Sequence, residues 1–367
     1  MDKGFLSRQQ FPALYQVLSK AGYEVIGPTV KDGAIVFVPL AGFEQLPTGW
    51  QEQVSPGHYQ LEQTAGQRCF YWNTGPQALK PWLFKPEQHL WQAEQTAAGL
   101  CFRQTPEQAQ PRAFIGLRGC DLAALNIHDQ HFLNGVLPDP YYQAQRQQLF
   151  IVAVNCARSA DTCFCVSTSD GPAATVGFDI LLDELETGFL VASGSDQGEV
   201  IIQQLPLAKA QTKQLSEAKQ QLQAATYQQR VMPDEQQLLK LVDRLDHPQW
   251  QDVAERCLAC GNCTLVCPTC FCSKQESHSD VKGQQAEQVR LWDSCFSEQH
   301  SYIVGKVFRP EISQRYRQWL THKLATWQQQ FERSGCVGCG RCISWCPVGI
   351  DLIEEAQALL QGEADDD

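Results

Sequence analysis

The sequence predicts an α+β protein: an N-terminal α/β domain, residues 1–232, followed by a cysteine-rich α-helical domain, residues 233–367. Residues 113–154 show a strand–helix–strand pattern, which is typical of an open α/β unit. The second half combines two dense cysteine runs with a strong amphipathic helix at residues 311–331. We place the domain boundary at Pro233, because a new apolar stripe with helical spacing begins directly after it.

Apolar periodicity predicts alternating helices and strands in the N-terminal domain. We expect helices at residues 8–21, 120–132 and 209–227, strands at 34–40, 113–117 and 149–154, and a hairpin at 178–193. An aromatic, proline-containing stretch, residues 71–91, is expected to be extended and to lead into a helix that starts near Pro86. In open α/β sheets ligands bind at the carboxyl ends of strands, so residues that directly follow the strands are candidate site residues.

Composition argues against several classes of protein. The net charge of −12 argues against nucleic acid and anionic membranes as partners. No apolar run is long enough to predict a membrane span, and the first residues do not follow a signal-peptide pattern. Seventeen cysteines without an export signal predict metal ligation in a reducing compartment rather than disulfides. We therefore expect a cytoplasmic location.

Eight cysteines form two runs with the spacing C-x2-C-x2-C-x3-C-P. The first run is Cys257, Cys260, Cys263 and Cys267, and the second is Cys336, Cys339, Cys342 and Cys346. This spacing is that of [4Fe-4S] binding runs, whereas structural zinc usually uses two separated C-x2-C pairs. Small residues within the loops allow backbone N–H groups to approach the sulfurs closely. The sequence therefore predicts two [4Fe-4S] clusters.

The fourth cysteine of each run is expected to bind the cluster of the other run, because it lies about one helical turn beyond its own loop. The first-run quartet then consists of Cys257, Cys260, Cys263 and Cys346. The second-run quartet consists of Cys336, Cys339, Cys342 and Cys267.

Four more cysteines, which we call the N-terminal quartet, follow the predicted strands: Cys120, Cys156, Cys163 and Cys165. If the strands at residues 113–117 and 149–154 are adjacent and parallel, their carboxyl ends bring these thiols to one edge of the sheet. We expect the neighbouring Arg118 to lower the thiol pKa and so favour ligation. Four thiols suit a third [4Fe-4S] cluster. Free structural thiols, a zinc site and a redox-active pair are the alternatives.

Three cysteines remain beyond these quartets: Cys270, Cys272 and Cys295. They either bind another cluster with a fourth ligand from elsewhere, or pack around the neighbouring cluster and tune its potential. No G-x-G-x-x-G follows a predicted strand, and there is no P-loop or hydrolytic constellation. The sequence therefore assigns no catalytic residue.

Five motifs together resemble one family: LRGCDLAAL (117–125), DPYY (139–142), VNC…TCFC (154–165), CGNCTLVCPTCFC (260–272) and CGRCISWCPVGIDL (339–352). The chain resembles the iron–sulfur β subunit of cytoplasmic [NiFe] hydrogenases of the sulfhydrogenase type. The first of the anaerobic sulfite reductase subunits is a near relative with the same layout. The helical half resembles the α-helical two-cluster ferredoxin domain of heterodisulfide reductase C subunits and of the succinate dehydrogenase iron–sulfur subunit. Gly119 departs from the family's usual proline in RPCD.

The resemblance implies an electron-transfer subunit. It implies one partner that binds flavin and NAD(P)H, and further partners that carry the catalytic metal. The second cysteine run is more like that of the hydrogenase branch than that of the sulfite reductase branch. Two other functions stay open: a catalytic reductase whose N-terminal cluster has an open coordination position, and a cluster-containing scaffold or redox sensor.

Overall fold

A computed structural model describes residues 3–105 and 109–361. Within these residues the strands are β1 (Gly4–Ser7), β2 (Glu24–Lys31), β3 (Ala34–Pro39), β4 (Trp50–Ser55), β5 (His58–Gln63), β6 (Glu87–Thr96), β7 (Gly99–Gln104), β8 (Arg112–Leu117), β9 (Leu149–Val154), β10 (Ile180–Leu185), β11 (Gly188–Ser193), β12 (Ala208–Lys209), β13 (Ser273–Ser279), β14 (Gln285–Trp292), β15 (Tyr302–Ile303) and β16 (Lys306–Val307). The α-helices are α1 (Pro12–Lys20), α2 (Lys80–Leu83), α3 (Gly119–Leu133), α4 (Pro140–Gln147), α5 (Asp196–Ile202), α6 (Thr212–Ala224), α7 (Glu235–Leu239), α8 (Gln249–Arg256), α9 (Asn262–Val266), α10 (Ile312–Thr321), α11 (Trp327–Phe331), α12 (Arg341–Ser344) and α13 (Leu352–Leu360).

The N-terminal half is built on an eight-stranded sheet in the order β12-β1-β11-β10-β9-β8-β2-β3. Strands β2, β8, β9 and β10 are parallel to their neighbours in the centre, whereas the pairs towards both edges are antiparallel. The prediction that the strands at residues 113–117 and 149–154 are adjacent and parallel is confirmed by the pairing of β8 with β9. Their carboxyl ends therefore meet at one edge of the sheet.

Both faces of this sheet are covered, as the continuous apolar runs of its central strands require. Along β9, Phe150 and Val152 pack in the core beneath α1, whereas Ile151 and Ala153 pack in the core beneath α3. The predicted helices at residues 8–21, 120–132 and 209–227 correspond to α1, α3 and α6. The predicted hairpin at 178–193 is formed by β10 and β11.

A second sheet joins segments that are far apart in the chain, in the order β13-β14-β6-β7. The hairpin β13–β14 comes from the insert between the two cysteine runs and pairs with β6 through an antiparallel register. The predicted helix near Pro86 is wrong, because these residues form β6. Pairing with a strand about two hundred residues later overrides local preference, as is common for strands. The half predicted to be helical thus also contributes a hairpin.

The helical half packs around the long amphipathic helix predicted at residues 311–331. This helix is present as α10 and α11, joined by a π-helical segment, His322–Thr326. Its Trp319 and Leu324 are buried in a core that also contains Trp250 and Leu352. The helix predicted at 235–245 is shorter, with α7 followed by a 3₁₀ turn, Lys240–Asp243. Among the described residues, no helix combines the length and the apolar character that a membrane span requires.

Candidate metal centres

The two cysteine runs adopt the same loop conformation. Each loop contains two residues with positive φ before a short helix, α9 or α12: Ala259 (48°) and Gly261 (73°), and Gly338 (62°) and Gly340 (72°). This turn aims backbone N–H groups at ligand sulfurs. The N–H of Ala259 lies 3.4 Å from Cys257 Sγ, and that of Gly338 lies 3.5 Å from Cys336 Sγ. Such N–H···S contacts stabilise negative charge on a cluster and its ligands.

The four cysteines predicted for the first cluster line one cavity, which we call the first-run cavity: Cys257, Cys260, Cys263 and Cys346. Cys267, the fourth cysteine of the first run, is not among the lining residues. The backbone N–H of Ile350 lies 3.3 Å from Cys346 Sγ. Apolar side chains, including Phe296, Tyr316 and Trp319, form much of the wall, and Cys260 is exposed at the surface. The exchange of ligands between the runs stays a prediction, and the position of Cys346 is the one that it requires.

The second-run quartet lies deeper in the molecule. Burial raises the pKa of the Cys342 thiol, and the neighbouring Cys336, Cys339 and Cys267 raise it further by like-charge repulsion. Cys267 differs from the others: a hydrogen bond with Cys270 and the ammonium of Lys323 hold the pKa of its thiol well below the usual value, although burial opposes this. The fold therefore groups these four thiols and favours the thiolate form at Cys267.

Lys323 is a site residue that sequence reasoning missed. Its side chain is buried, with the residue 3% exposed, and its Nζ lies 3.3 Å from Cys267 Sγ and 3.0 Å from Thr269 Oγ1. Burial alone lowers the pKa of Lys323, but the nearby thiolates raise it well above its usual value. One signal was available in the sequence: a lysine on the apolar stripe of the helix, four residues from both Trp319 and Trp327.

The N-terminal quartet also lines a single cavity, the N-terminal cavity: Cys120, Cys156, Cys163 and Cys165. Cys120 lies in the first turn of α3, directly after β8, and Cys156 follows β9. The side-chain amide of Gln228, which sequence analysis did not single out, donates a hydrogen bond to Cys165 Sγ at 3.3 Å. The four thiols therefore converge at the sheet edge, and the group that they bind stays a prediction.

The expected effect of Arg118 on the N-terminal thiols is outweighed. Burial raises the pKa of Cys156, and the opposing charge of Arg118 only moderates this shift. Burial likewise raises the pKa values of Cys120 and Cys163 well above the usual value. Without metal these thiols are protonated at neutral pH, so metal binding must release protons from them.

The second-run loop packs directly against the N-terminal quartet. Cys339 lines the N-terminal cavity together with the four cysteines of that quartet. The N–H of Phe164 donates to the carbonyl of Gly338 at 2.9 Å. A Cβ atom on Gly338 would lie only 2.5 Å from the backbone of Cys165, so this approach requires glycine. Phe164 itself is fully buried in the core of the helical half.

A buried ion pair also joins the two halves. Arg341 Nη2 lies 2.8 Å from Asp121 Oδ1, and both side chains are almost completely buried. Asp121 belongs to the first turn of α3, beside Cys120, and Arg341 begins α12, between Cys339 and Cys342. The pair therefore holds the second-run loop against the carboxyl edge of the sheet.

The donor atoms fit [4Fe-4S] clusters. The described residues that line the first-run and N-terminal cavities offer several cysteine sulfurs and no carboxylate or imidazole. Cysteine thiolates are the usual ligands of [4Fe-4S] clusters. Backbone and amide N–H groups point at four of the sulfurs: Cys165, Cys257, Cys336 and Cys346.

Comparison with known proteins agrees with this chemistry. Residues 256–350 match the 4Fe-4S dicluster domain family. Sulfhydrogenase 2 subunit beta from Pyrococcus furiosus is 34% identical over 258 residues, which cover 68% of this chain and 74% of the relative. No solved structure matches the chain. With a dicluster domain and a relative of this identity and coverage, the chain belongs to the family of iron–sulfur hydrogenase β subunits.

Proposed function

We propose that this chain relays electrons through three [4Fe-4S] clusters between two partners: one that binds flavin and NAD(P)H, and a catalytic hydrogenase subunit. The observation that carries this proposal is that the second-run loop borders both other sites. Cys339 lines the N-terminal cavity, and Cys342 lines the first-run cavity. The second-run site therefore lies between the other two. When bound, each cluster supplies a one-electron carrier.

The protein's own groups adapt each site to its charge. Backbone N–H groups and the buried ammonium of Lys323 stabilise the added negative charge. Phe296, Tyr316 and Trp319 keep water from the inner wall of the first-run cavity. A low-dielectric wall strengthens each of these electrostatic contacts.

The first-run end of the row reaches the surface and suits a partner. Cys260 is exposed, and the apolar side chains Leu258, Leu265 and Val348 near the first-run loop are 62%, 40% and 39% exposed. Exposed apolar residues beside a redox site favour a protein contact there. We assign this end to the catalytic partner, and the N-terminal quartet to the flavin side. The name of the relative, a sulfhydrogenase subunit, favours hydrogenase over the alternative, anaerobic sulfite reductase.

The test compares two routes of electrons in the assembled complex, prepared without oxygen. We expect Cys163→Ala to abolish NAD(P)H-linked hydrogen production but to retain production from reduced viologen, which feeds the catalytic subunit directly. Its iron content should fall by about four atoms per chain. Cys101→Ser is the matched control, because Cys101 lies on β7, outside all three quartets. It should leave both rates and the iron content unchanged.

Equal iron in the wild type and Cys163→Ala would remove the third cluster from the proposal. Retained NAD(P)H-linked production despite iron loss would remove the N-terminal quartet from the relay. Assembly with a sirohaem subunit, together with coupling to sulfite reduction, would support the sulfite reductase alternative. Turnover by the isolated chain would indicate a catalytic reductase instead.

A further inference from the structure

Three side chains outside the cysteine quartets meet at the base of the hairpin β13–β14. Cys272 directly precedes β13, and Cys295 lies shortly after β14, so the antiparallel register brings them side by side. Their Sγ atoms are 3.8 Å apart. His300 lies on a short 3₁₀ turn, Gln299–Ser301, and offers a ring nitrogen within 4.8 Å of both sulfurs.

We propose that Cys272, Cys295 and His300 bind one tetrahedral Zn²⁺ ion, separate from the iron–sulfur sites. Two thiolates at about 2.3 Å from a tetrahedral ion lie about 3.8 Å from each other, which matches the observed separation. A disulfide bond requires sulfurs at about 2.05 Å, and both of these thiols are free. Mixed thiolate and imidazole ligands in tetrahedral geometry select zinc among the common divalent ions.

The surroundings of His300 prepare it for this role. Its Nδ1 lies 3.1 Å from Asp293 Oδ2, and the N–H of Ser294 donates to the other carboxylate oxygen at 2.8 Å. The carboxylate holds a proton on Nδ1, which leaves Nε2 with a free lone pair for a metal. Carboxylate–histidine–metal arrangements of this kind orient the ring and fix its tautomer.

The fourth position of the ion is open to water. Among the described residues, no fourth Cys, His, Asp or Glu joins this group of ligand atoms. Cys295 is buried, whereas Cys272 is half-buried and the His300 side chain is 25% exposed, so the site reaches solvent on the His300 side. Two thiolates balance the charge of one Zn²⁺ ion. Three protein ligands with an open fourth position are typical of zinc sites that bind water or an exogenous ligand.

The experiment measures zinc and iron in the full-length chain, purified without oxygen and loaded with iron and sulfide. We expect about one zinc per chain, with zinc-edge X-ray absorption showing two sulfurs at about 2.3 Å and an imidazole nitrogen at about 2.0 Å. Cys272→Ser and Cys295→Ser should lose the zinc and keep the iron. Asp293→Asn should weaken zinc binding about 10- to 100-fold in competition with a chelator. Cys101→Ser is again the control and should keep both metals.

Each of the other outcomes would overturn the zinc site. Loss of iron in multiples of about four atoms in Cys272→Ser would make this thiol a cluster ligand. A peptide linking Cys272 to Cys295 through a disulfide, in protein without zinc, would indicate a redox pair. Zinc bound only by oxygen and nitrogen in the absorption spectrum would place it elsewhere. The spectrum of the wild type needs no variant, so the test holds even if a substitution prevents folding.

Discussion

Replacing Lys323 by methionine tests how the fold sets the potential of the second-run cluster. Lys323 donates to Cys267 Sγ, to Thr269 Oγ1 and to the carbonyl of Gly335, and none of these partners is a carboxylate. Its positive charge therefore acts on the cluster without a neutralising ion pair. Methionine has a similar length and no charge. Thr269 Oγ1 keeps its own bond to the Gly335 carbonyl, at 2.6 Å, so the variant leaves these two groups paired.

The expected shift follows from Coulomb's law. With an effective dielectric constant of about 20 and a separation of about 7 Å between the ammonium and the added electron, the lost attraction is about 2.4 kcal/mol. For one electron this corresponds to about 100 mV. The midpoint potential of the second-run cluster should fall by this amount in Lys323→Met, because the cation stabilises the reduced, more negative form.

The assay is a redox titration of the anaerobic protein, followed by electron paramagnetic resonance, with unfolding curves to check the fold. Lys80→Met is the matched control. Lys80 is also buried, but its Nζ donates to the carbonyl of Thr264 at 3.0 Å and lies over the ring of Trp292 rather than against a sulfur. Its shift should be smaller. A change below about 20 mV in Lys323→Met, or an equal change in both variants, would refute the electrostatic reasoning.

Three further predictions concern ligation, packing and pH. Cys346→Ser should alter the same resonance spectrum as Cys257→Ser; if it matched Cys336→Ser instead, the ligands would not be exchanged between the runs. Arg341→Met leaves its carboxylate partner buried and unpaired, so the free energy of unfolding should fall by about 3–5 kcal/mol in denaturant titrations, and a fall below about 1 kcal/mol would contradict this. Burial lowers the pKa of His128 to about 3, so below about pH 6.5 only the unfolded chain takes up this proton, and stability falls as pH falls. Between about pH 7.5 and 5.5 the wild type should lose about 1.4 kcal/mol more than His128→Leu in unfolding measurements, and equal losses would show that His128 does not titrate in this way.

The sequence by itself determined the features that depend on local spacing. The loops around Ala259 and Gly338 turn as the small residues of the runs predict, because positive φ and close N–H···S contacts depend on residues within three positions. The central strands β8 and β9 were also predictable, because a strand buried on both faces has a continuous apolar pattern.

Only the tertiary structure decided the features that join distant segments. Strand β6 pairs with β14 from the insert, and local sequence carries no information about such a partner. The same holds for the ammonium of Lys323 beside Cys267, and for Cys339 at the wall of the N-terminal cavity. These contacts arise when helices and sheets pack, and packing depends on the shape and burial of whole surfaces rather than on the spacing of residues along the chain.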